Sequence, residues 1–143
     1  MNVDFLDTNV FIYLFDDTDA HKRSVAERLV SDALASGRSV VSFQVVQEAL
    51  NVITRKLGAS TDDARRFLEA VLDPLWHIGP SSELYASAID LRGRFGFSFY
   101  DALIVASALA AGCTRLLSED LQHGQRVGDL TIIDPFRAPP ASV

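Results

Sequence analysis

One aspartate in the second half of the chain lies where charge is rarely found. Between Arg94 and Arg115, Asp101 is the only charged side chain. A carboxylate in such a stretch is costly to desolvate unless it is hydrogen-bonded, paired with a cation or bound to a metal. Two interpretations stay open. With Ser98 as the N-cap, Asp101 would occupy the third helical position, where a carboxylate favours the helix dipole. Alternatively, Asp101 carries chemistry.

Two short polar motifs each follow a predicted strand. Asp7-Thr8-Asn9 comes after the apolar residues 3–6, and Ser118-Glu119-Asp120 comes after residues 116–117. Asp7-Thr8-Asn9 alone is explained as a helix start, because Asp, Thr and Asn all favour capping positions. Acidic side chains after two strands of the same sheet, however, indicate a shared site. Reactive groups in open parallel sheets gather beyond the carboxyl ends of the strands.

If the two strands are neighbours, Asp7 and Asp120 approach each other, and Asp101 at a helix start can point into the same crevice. Clustered carboxylates repel one another, and a hard divalent cation relieves that repulsion most simply. Ligands that are all oxygen, with no His or Cys cluster, favour Mg²⁺ or Mn²⁺. Glu119 and Asp120 are adjacent, and adjacent side chains after a strand point in different directions. We therefore expect only one of them in the site, and we choose Asp120.

Glu48 is a fourth candidate, although the helical pattern does not support it. The apolar face of its predicted helix consists of Val46, Ala49, Leu50 and Ile53, and Glu48 lies at the edge of that stripe. The pattern alone therefore favours a solvated glutamate.

The order of elements predicts an α/β fold. Strands separated by long helical patterns indicate right-handed crossovers around a mostly parallel sheet of about four to five short strands, flanked by helices. Glycine and proline positions and apolar periodicity mark the boundaries. The predicted strands are residues 3–6, 39–42, 75–78, 116–117 and 131–133, and the predicted helices are residues 10–15, 20–35, 43–57, 61–72, 82–95 and 99–111.

Composition narrows the class of protein further. The chain has 143 residues, 48% of them hydrophobic and 22% charged, which suits one folded domain rather than a disordered chain. A formal net charge of −6 means that a polyanionic substrate must be held locally, not attracted by the whole molecule. One cysteine, Cys113, excludes an internal disulfide and a multi-cysteine zinc site. Asp4 and Asp7 interrupt the first apolar stretch, so we expect no cleaved signal peptide and a cytoplasmic protein.

Taken together, these motifs resemble PIN-domain ribonucleases, and in particular the VapC toxins of bacterial type II toxin–antitoxin systems. The resemblance runs from Val3 to about Pro135 and includes Gln44-Val45-Val46-Gln47-Glu48 and Ser98-Phe99-Tyr100-Asp101-Ala102. It implies a PIN-like three-layer sandwich. Carried over from the family, the catalytic and metal-binding acids are Asp7, Glu48, Asp101 and Asp120, and the polar residues that support them are Thr8, Asn9 and Ser118.

The resemblance also implies an activity and partners. The activity is hydrolysis of RNA by a Mg²⁺- or Mn²⁺-activated water, leaving a 5′-phosphate and a 3′-hydroxyl. The partners are the RNA substrate, a cognate VapB-type antitoxin that blocks the crevice, and a second copy of the chain in a homodimer. We expect the PIN domain to span residues 1–137, with residues 138–143 as a C-terminal tail.

Three alternative functions compete with this one. An aspartyl-phosphate phosphatase would use Asp7 as a nucleophile with Mg²⁺, but it expects a second Asp two residues later, where this chain has Asn9. A receiver domain has a similar acidic pocket but needs a late lysine, and no lysine follows Lys56. A PIN-like binding module without catalysis is the alternative from a different class, and the presence of all four acids argues against it.

Overall fold

The computed structural model describes residues 2–137, in which six strands form a sheet. The strands are β1 (Asp4–Leu6), β2 (Ser39–Ser42), β3 (Trp76–Ile78), β4 (Arg115–Leu117), β5 (Arg126–Val127) and β6 (Leu130–Ile133). Their order across the sheet is β3-β2-β1-β4-β6-β5. All neighbours are parallel except β5 and β6, which are antiparallel. The predicted α/β class with a mostly parallel sheet is confirmed.

The sheet is flanked by helices, and α7 packs against α6 and contacts β2 and β4. Buried residues of β1, β2, β4 and β6 supply the centre of the core, where Phe5, Val41, Leu116 and Ile132 are completely buried. No helix within the described residues is long and apolar enough to cross a membrane. The helices are α1 (Thr8–Ile12), α2 (Ala20–Ser36), α3 (Phe43–Arg55), α4 (Thr61–Phe67), α5 (Asp73–Leu75), α6 (Ser82–Phe95) and α7 (Phe99–Ala110).

Serine caps begin three of these helices in the same way. The side-chain oxygens of Ser60, Ser81 and Ser98 accept hydrogen bonds from the backbone N–H groups three residues later, at 3.0, 3.1 and 3.1 Å. Each bond satisfies a donor that the first helical turn leaves without a partner. Gly37 ends α2 with φ of 67°, a conformation that glycine adopts without strain. These helix boundaries follow the sequence closely because their signals are local.

Two helices depart from the sequence prediction. The first, predicted over residues 10–15, is α1 and begins at Thr8, because the Asp7 side chain accepts from the Thr8 N–H and caps it. The helix predicted over residues 61–72 changes to a π-helical turn at Leu68–Leu72 and continues into α5. Phe67 and Leu72 are both buried, and their five-residue spacing places them on one side of a π turn but not of a regular α-helix.

The sheet also contains one strand more than expected. β5 pairs with β6 around the two-residue turn Gly128-Asp129, and Gly128 has φ of 58°. Of the two turn residues only Gly128 has positive φ, and a two-residue hairpin turn of that kind favours Gly at its first position, so the dipeptide was a usable hairpin signal. A two-residue strand has too little apolar pattern to be recognised by itself. Met1 and the predicted tail, residues 138–143, lie outside the described residues.

Candidate active site

The site is built on the carboxyl ends of two adjacent strands. β1 and β4 are parallel neighbours in which Leu6 pairs with Leu117, so the residues that follow them emerge side by side. The Asp7 N–H donates to the Leu117 carbonyl at 3.0 Å, and this bond extends the pairing by one residue. The condition on which the sequence argument depended, that the two strands are neighbours, is therefore met.

Asp7 is the most buried of the predicted acids, with 7% of its surface exposed. One carboxylate oxygen accepts from the Thr8 N–H at 2.7 Å, and the other accepts from the Ser118 hydroxyl at 2.7 Å. Burial raises the pKa of Asp7 to about 6, the two hydrogen bonds oppose that rise, and the charges of Asp120 and Glu48 add to it. Asp7 is thus an acid held in place by neutral donors and surrounded by negative charge.

Asp120 lies in the turn that follows β4 and is exposed to solvent. Its backbone N–H donates to the Ser118 hydroxyl at 3.2 Å, and its side chain accepts from Asn9 Nδ2 at 3.1 Å. Partial burial and then the charge of Glu119 raise the pKa of Asp120, and Asp101 and Glu48 raise it further. Ser118 and Asn9 therefore hold the two strand-end acids relative to each other.

Glu48 faces this cluster from α3 and is half-buried. Thr8 donates its hydroxyl to Glu48 Oε2 at 2.7 Å, and Gln44 donates its amide to Glu48 Oε1 at 3.2 Å. The pattern-based interpretation of Glu48 as a solvated surface residue is wrong. Thr8 comes from the first motif, so the loop after β1 directly contacts the helix that carries Glu48.

Asp101 occupies the third position of α7 and is half-buried. Its backbone N–H donates to the Ser98 hydroxyl at 3.1 Å, as the capping interpretation predicted. Its charge also raises the pKa of Asp120, so the side chain acts on the same cluster. The two interpretations of Asp101 are compatible, since the cap fixes the helix start that presents the carboxylate.

Glu119 has a different environment from its neighbour. It accepts from Lys22 Nζ at 3.0 Å and from the Tyr13 hydroxyl, and Lys22 also donates to that hydroxyl at 3.1 Å. The Lys22 ammonium lies 5.0 Å from the centre of the Tyr13 ring. We call Tyr13, Lys22 and Glu119 the Glu119 clamp. It pairs Glu119 with a cation and leaves Asp120 as the acid whose pKa Asp101 and Glu48 also raise.

The four predicted acids lack cationic partners. Among residues 2–137, no Lys, Arg or His side chain forms an ion pair with any of them. Other acids of the protein are paired, since Arg115 donates to both oxygens of Asp4 at 2.7 and 2.6 Å. The predicted site therefore combines neutral hydrogen-bond donors with four carboxylates whose negative charge no cation offsets. The four are Asp7, Glu48, Asp101 and Asp120.

This donor set fits a hard divalent cation, because all its ligand atoms are oxygen and its charge is uncompensated. As the side chains stand in residues 2–137, no three Asp, Glu, His or Cys residues already form a metal-binding cluster. The predicted acids are nevertheless close enough to interact electrostatically, since the charges of Asp120 and Glu48 both raise the pKa of Asp7.

A pocket of about 630 Å³ lies beside α2 along alternate residues of β1 and β4, from Asp4 and Arg115 to Leu6 and Leu117. It is lined by α2 residues such as Leu29 and Ala33 and by the Asp4–Arg115 ion pair, and none of the predicted site residues contributes to it. Shape alone would therefore have directed attention away from the acids.

Sequence reasoning missed three side chains in or beside the candidate site: Gln44 contacts Glu48, and Tyr13 and Lys22 contact Glu119 next to Asp120. Gln44 is four residues before Glu48 on α3, a spacing that lets helical side chains meet, so a signal was present. Tyr13 and Lys22 gave no comparable signal. Their contacts with Glu119 join residues 97 and 106 positions apart, and only the folded chain brings them together.

Solved structures with this fold include several toxins. A Mycobacterium tuberculosis VapC20 structure, described as a sarcin-ricin loop cleaving toxin, has a TM-score of 0.61 and 22% identity, covering 82% of this chain and 91% of that one. A toxin–antitoxin complex from Klebsiella pneumoniae has a TM-score of 0.67 and 18% identity, covering 92% and 97%. VapBC2 from Rickettsia felis, bound to a promoter DNA fragment, has a TM-score of 0.61 and 18% identity, covering 91% of this chain and 96% of that one. At these identities the likeness shows the fold.

No curated protein sequence matches the chain. A family model does, and it is described as the PIN domain and matches residues 5–128. That range begins inside β1 and extends beyond β5, so it includes all four predicted acids and both polar motifs. The chain belongs to the PIN-domain family.

Proposed function

We propose that this protein is the toxin of a toxin–antitoxin pair and acts as a metal-dependent endoribonuclease. The observation that carries the proposal is the group of four carboxylates beyond β1 and β4 that lack any cationic partner in the described chain. Such a group is costly to maintain without a cation, so its presence favours a metal site. Membership of the PIN-domain family and the fold shared with VapC toxins support a nuclease.

The residues that would hold Mg²⁺ or Mn²⁺ are Asp7, Glu48, Asp101 and Asp120. When bound, the cation would polarise the scissile phosphate and lower the pKa of a coordinated water. Ser118 and the Thr8 N–H orient the Asp7 carboxylate through hydrogen bonds of 2.7 Å each. Asn9 holds Asp120, and Thr8 and Gln44 hold Glu48. The resemblance to PIN-domain ribonucleases implies that the leaving group is the 3′-oxygen, so that the products carry a 5′-phosphate and a 3′-hydroxyl.

An antitoxin is the second part of the proposal. The Klebsiella pneumoniae and Rickettsia felis structures with this fold are toxin–antitoxin assemblies. A crevice lined by unpaired carboxylates is complementary to a basic side chain, so an antitoxin segment carrying Arg or Lys would block it. We propose in addition that the protein forms a homodimer and acts in the cytoplasm, where it meets RNA.

The decisive experiment compares RNA cleavage by the wild type, Asp101→Asn and Asp90→Asn, with Mg²⁺ and with a chelator. Asp90 is an exposed residue of α6 and serves as the matched control for loss of one negative charge. We expect cleavage by the wild type and Asp90→Asn that stops on chelation, and a loss of at least about 100-fold for Asp101→Asn. Mapping the RNA ends should give 5′-phosphates.

Other outcomes would select other functions. RNA binding without cleavage by the wild type would identify a binding module that lacks catalysis. Cleavage that survives chelation, or that survives in Asp101→Asn at the wild-type rate, would remove the metal mechanism. A complex with the cognate antitoxin that cleaves RNA as fast as the free protein would contradict the inhibitory role.

A further inference from the structure

A buried glutamine connects two of the helices that carry the acids. Gln44 lies in the first turn of α3 and is 5% exposed. Its amide nitrogen donates to Glu48 Oε1 at 3.2 Å and to the Tyr100 carbonyl at 3.1 Å. Tyr100 is the residue directly before Asp101 in α7. One side chain thus links the Glu48 carboxylate to the backbone that presents Asp101.

The orientation of the Gln44 amide follows from its partners. A carboxylate oxygen and a backbone carbonyl are both acceptors, so both contacts require the NH₂ group, and rotating the amide by 180° would place its oxygen against them. The NH₂ group has two hydrogens, and each has one acceptor. The remaining atom, Gln44 Oε1, is buried and has no hydrogen-bond partner among residues 2–137.

This arrangement is not one that stability alone would favour. A buried acceptor without a partner loses its hydration and receives nothing in return. An apolar side chain of similar length at position 44 would remove that loss. Because Glu48 is half-exposed, water could then donate to its carboxylate in place of the Gln44 amide. The advantage of glutamine therefore lies in where it holds its partners.

Glu48 is consequently held through both oxygens by neutral donors from different elements. Thr8 reaches Oε2 from the start of α1, and Gln44 reaches Oε1 while contacting the start of α7. Neutral donors can fix a carboxylate without cancelling its charge, which a lysine or arginine in the same place would do. The carboxylate thus stays available as a ligand.

We propose that Gln44 is a positioning residue that sets Glu48 relative to Asp101 for binding a divalent cation. The inference rests on the proposed function, because it gives those two acids a metal to bind. Partners that orient metal ligands typically change metal affinity or activity by about 10- to 100-fold when they are removed.

The test replaces Gln44 by methionine, which has similar length and no hydrogen-bonding amide, and uses Gln47→Met as the matched control. Gln47 is exposed on the same helix. Mn²⁺ binding is measured by electron paramagnetic resonance without RNA, and the Mg²⁺ dependence of cleavage is measured separately. For Gln44→Met we expect weaker Mn²⁺ binding and a half-saturating Mg²⁺ concentration raised by about tenfold or more. The KM for RNA at saturating Mg²⁺ should stay at the wild-type value. The melting temperature with chelator should not fall.

Gln47→Met should match the wild type in every measurement. Wild-type Mn²⁺ affinity in Gln44→Met, in a protein whose wild type binds Mn²⁺ and cleaves RNA, would overturn the inference and leave the proposed function intact. A wild type that neither binds Mn²⁺ nor cleaves RNA would overturn both. Should Gln44→Met fail to fold, Gln44→Leu also removes both donors without adding a charge, and unchanged Mn²⁺ affinity in that variant would equally refute the inference.

Discussion

At the residue scale, the burial of Asp7 opposes its ionisation, and the surrounding structure only partly offsets that cost. The carboxylate receives hydrogen bonds from Thr8 and Ser118, yet its pKa is raised to about 6. A raised pKa means that the folded protein binds this proton more tightly than the unfolded chain does. The charged form of Asp7 therefore destabilises the fold wherever the site holds no cation.

Asp7→Asn should stabilise the protein at neutral pH while it abolishes cleavage. With a pKa near 3.8 in the unfolded chain and about 6 in the fold, the charge costs at most about 3 kcal/mol above pH 6 and nothing below about pH 4. The advantage of the variant over the wild type should accordingly grow as the pH rises from 4 to 6. Urea unfolding at pH 4, 5, 6 and 7 with chelator measures it.

Ser118→Ala is the control for hydrogen bonding without a change of charge. It removes a donor that favours the ionised form, so it should destabilise the fold at pH 7 by about 1 to 3 kcal/mol. A free-energy difference between Asp7→Asn and the wild type that is the same at pH 4 and pH 7 would show that Asp7 is not strained by its charge.

At the scale of elements, the start of α7 combines a structural role with a role in the site. Ser98 caps the helix by accepting from the Asp101 N–H, and the Asp101 side chain carries the carboxylate that acts on Asp120. α4 has an equivalent cap, in which Ser60 accepts from the Asp63 N–H at 3.0 Å, and no predicted site residue lies on that helix. The two caps form a natural pair for comparison.

Ser98→Ala and Ser60→Ala should each lower the free energy of unfolding by about 1 kcal/mol, the usual cost of losing a serine N-cap. Only Ser98→Ala should also reduce cleavage, because it frees the backbone of Asp101 from its anchor. Urea unfolding and RNA cleavage at several Mg²⁺ concentrations test both statements. Equal cleavage rates in the two variants would mean that the α7 cap serves stability alone.

The Glu119 clamp joins the turn after β4 to the segments around α1 and α2. Lys22 is 32% exposed and Glu119 is 18% exposed, so their ion pair is more than a surface contact. Without Lys22, a largely buried negative charge would remain beside Asp120, whose pKa Glu119 already raises. The clamp therefore acts on the geometry of the turn and on its electrostatics.

Lys22→Met should lower the free energy of unfolding by about 1 kcal/mol or somewhat more and reduce cleavage several-fold. Lys56→Met removes the only other lysine, an exposed side chain without an ion pair among the described residues, and should change neither property. Thermal unfolding and initial cleavage rates distinguish the two variants. Unchanged cleavage by Lys22→Met would limit the clamp to a structural role.

At the scale of the whole molecule, local signals predicted most of the fold. Strand β2 and helix α6 have the predicted boundaries, because a glycine, a proline or a serine cap marks their ends. The π-helical turn at Leu68–Leu72 was not predictable in this way, since it depends on what Phe67 and Leu72 pack against. β5 was missed because two residues contain too little pattern.

The site was predictable to the extent that its members were out of place in their surroundings. Asp101 was conspicuous as a lone charge, and Asp7 and Asp120 by their positions after strands. Glu48 required the family resemblance, because its place at the edge of an apolar stripe indicated a surface residue. Gln44 had a local signal, because it lies four residues before Glu48 on one helix, whereas Lys22 acts on Glu119, 97 positions away, and only folding brings that partner to it.

The extent of the domain leads to a final prediction, that a chain of residues 1–137 is a complete folding unit. Within residues 2–137, Phe136 is the last buried core residue, with 6% of its surface exposed, and its ring packs edge-on against Tyr13 with 4.8 Å between the ring centres. A chain of residues 1–137 should therefore keep the melting temperature and cleavage activity of the full chain.

A chain ending at Asp134 should melt at a lower temperature, because deleting a buried Phe typically costs about 3 to 5 kcal/mol. It should also cleave RNA more slowly, since Tyr13 then loses the ring that supports it beside Glu119. If both truncated chains melt at the temperature of the full chain, the fold does not depend on Phe136, and the domain ends before it.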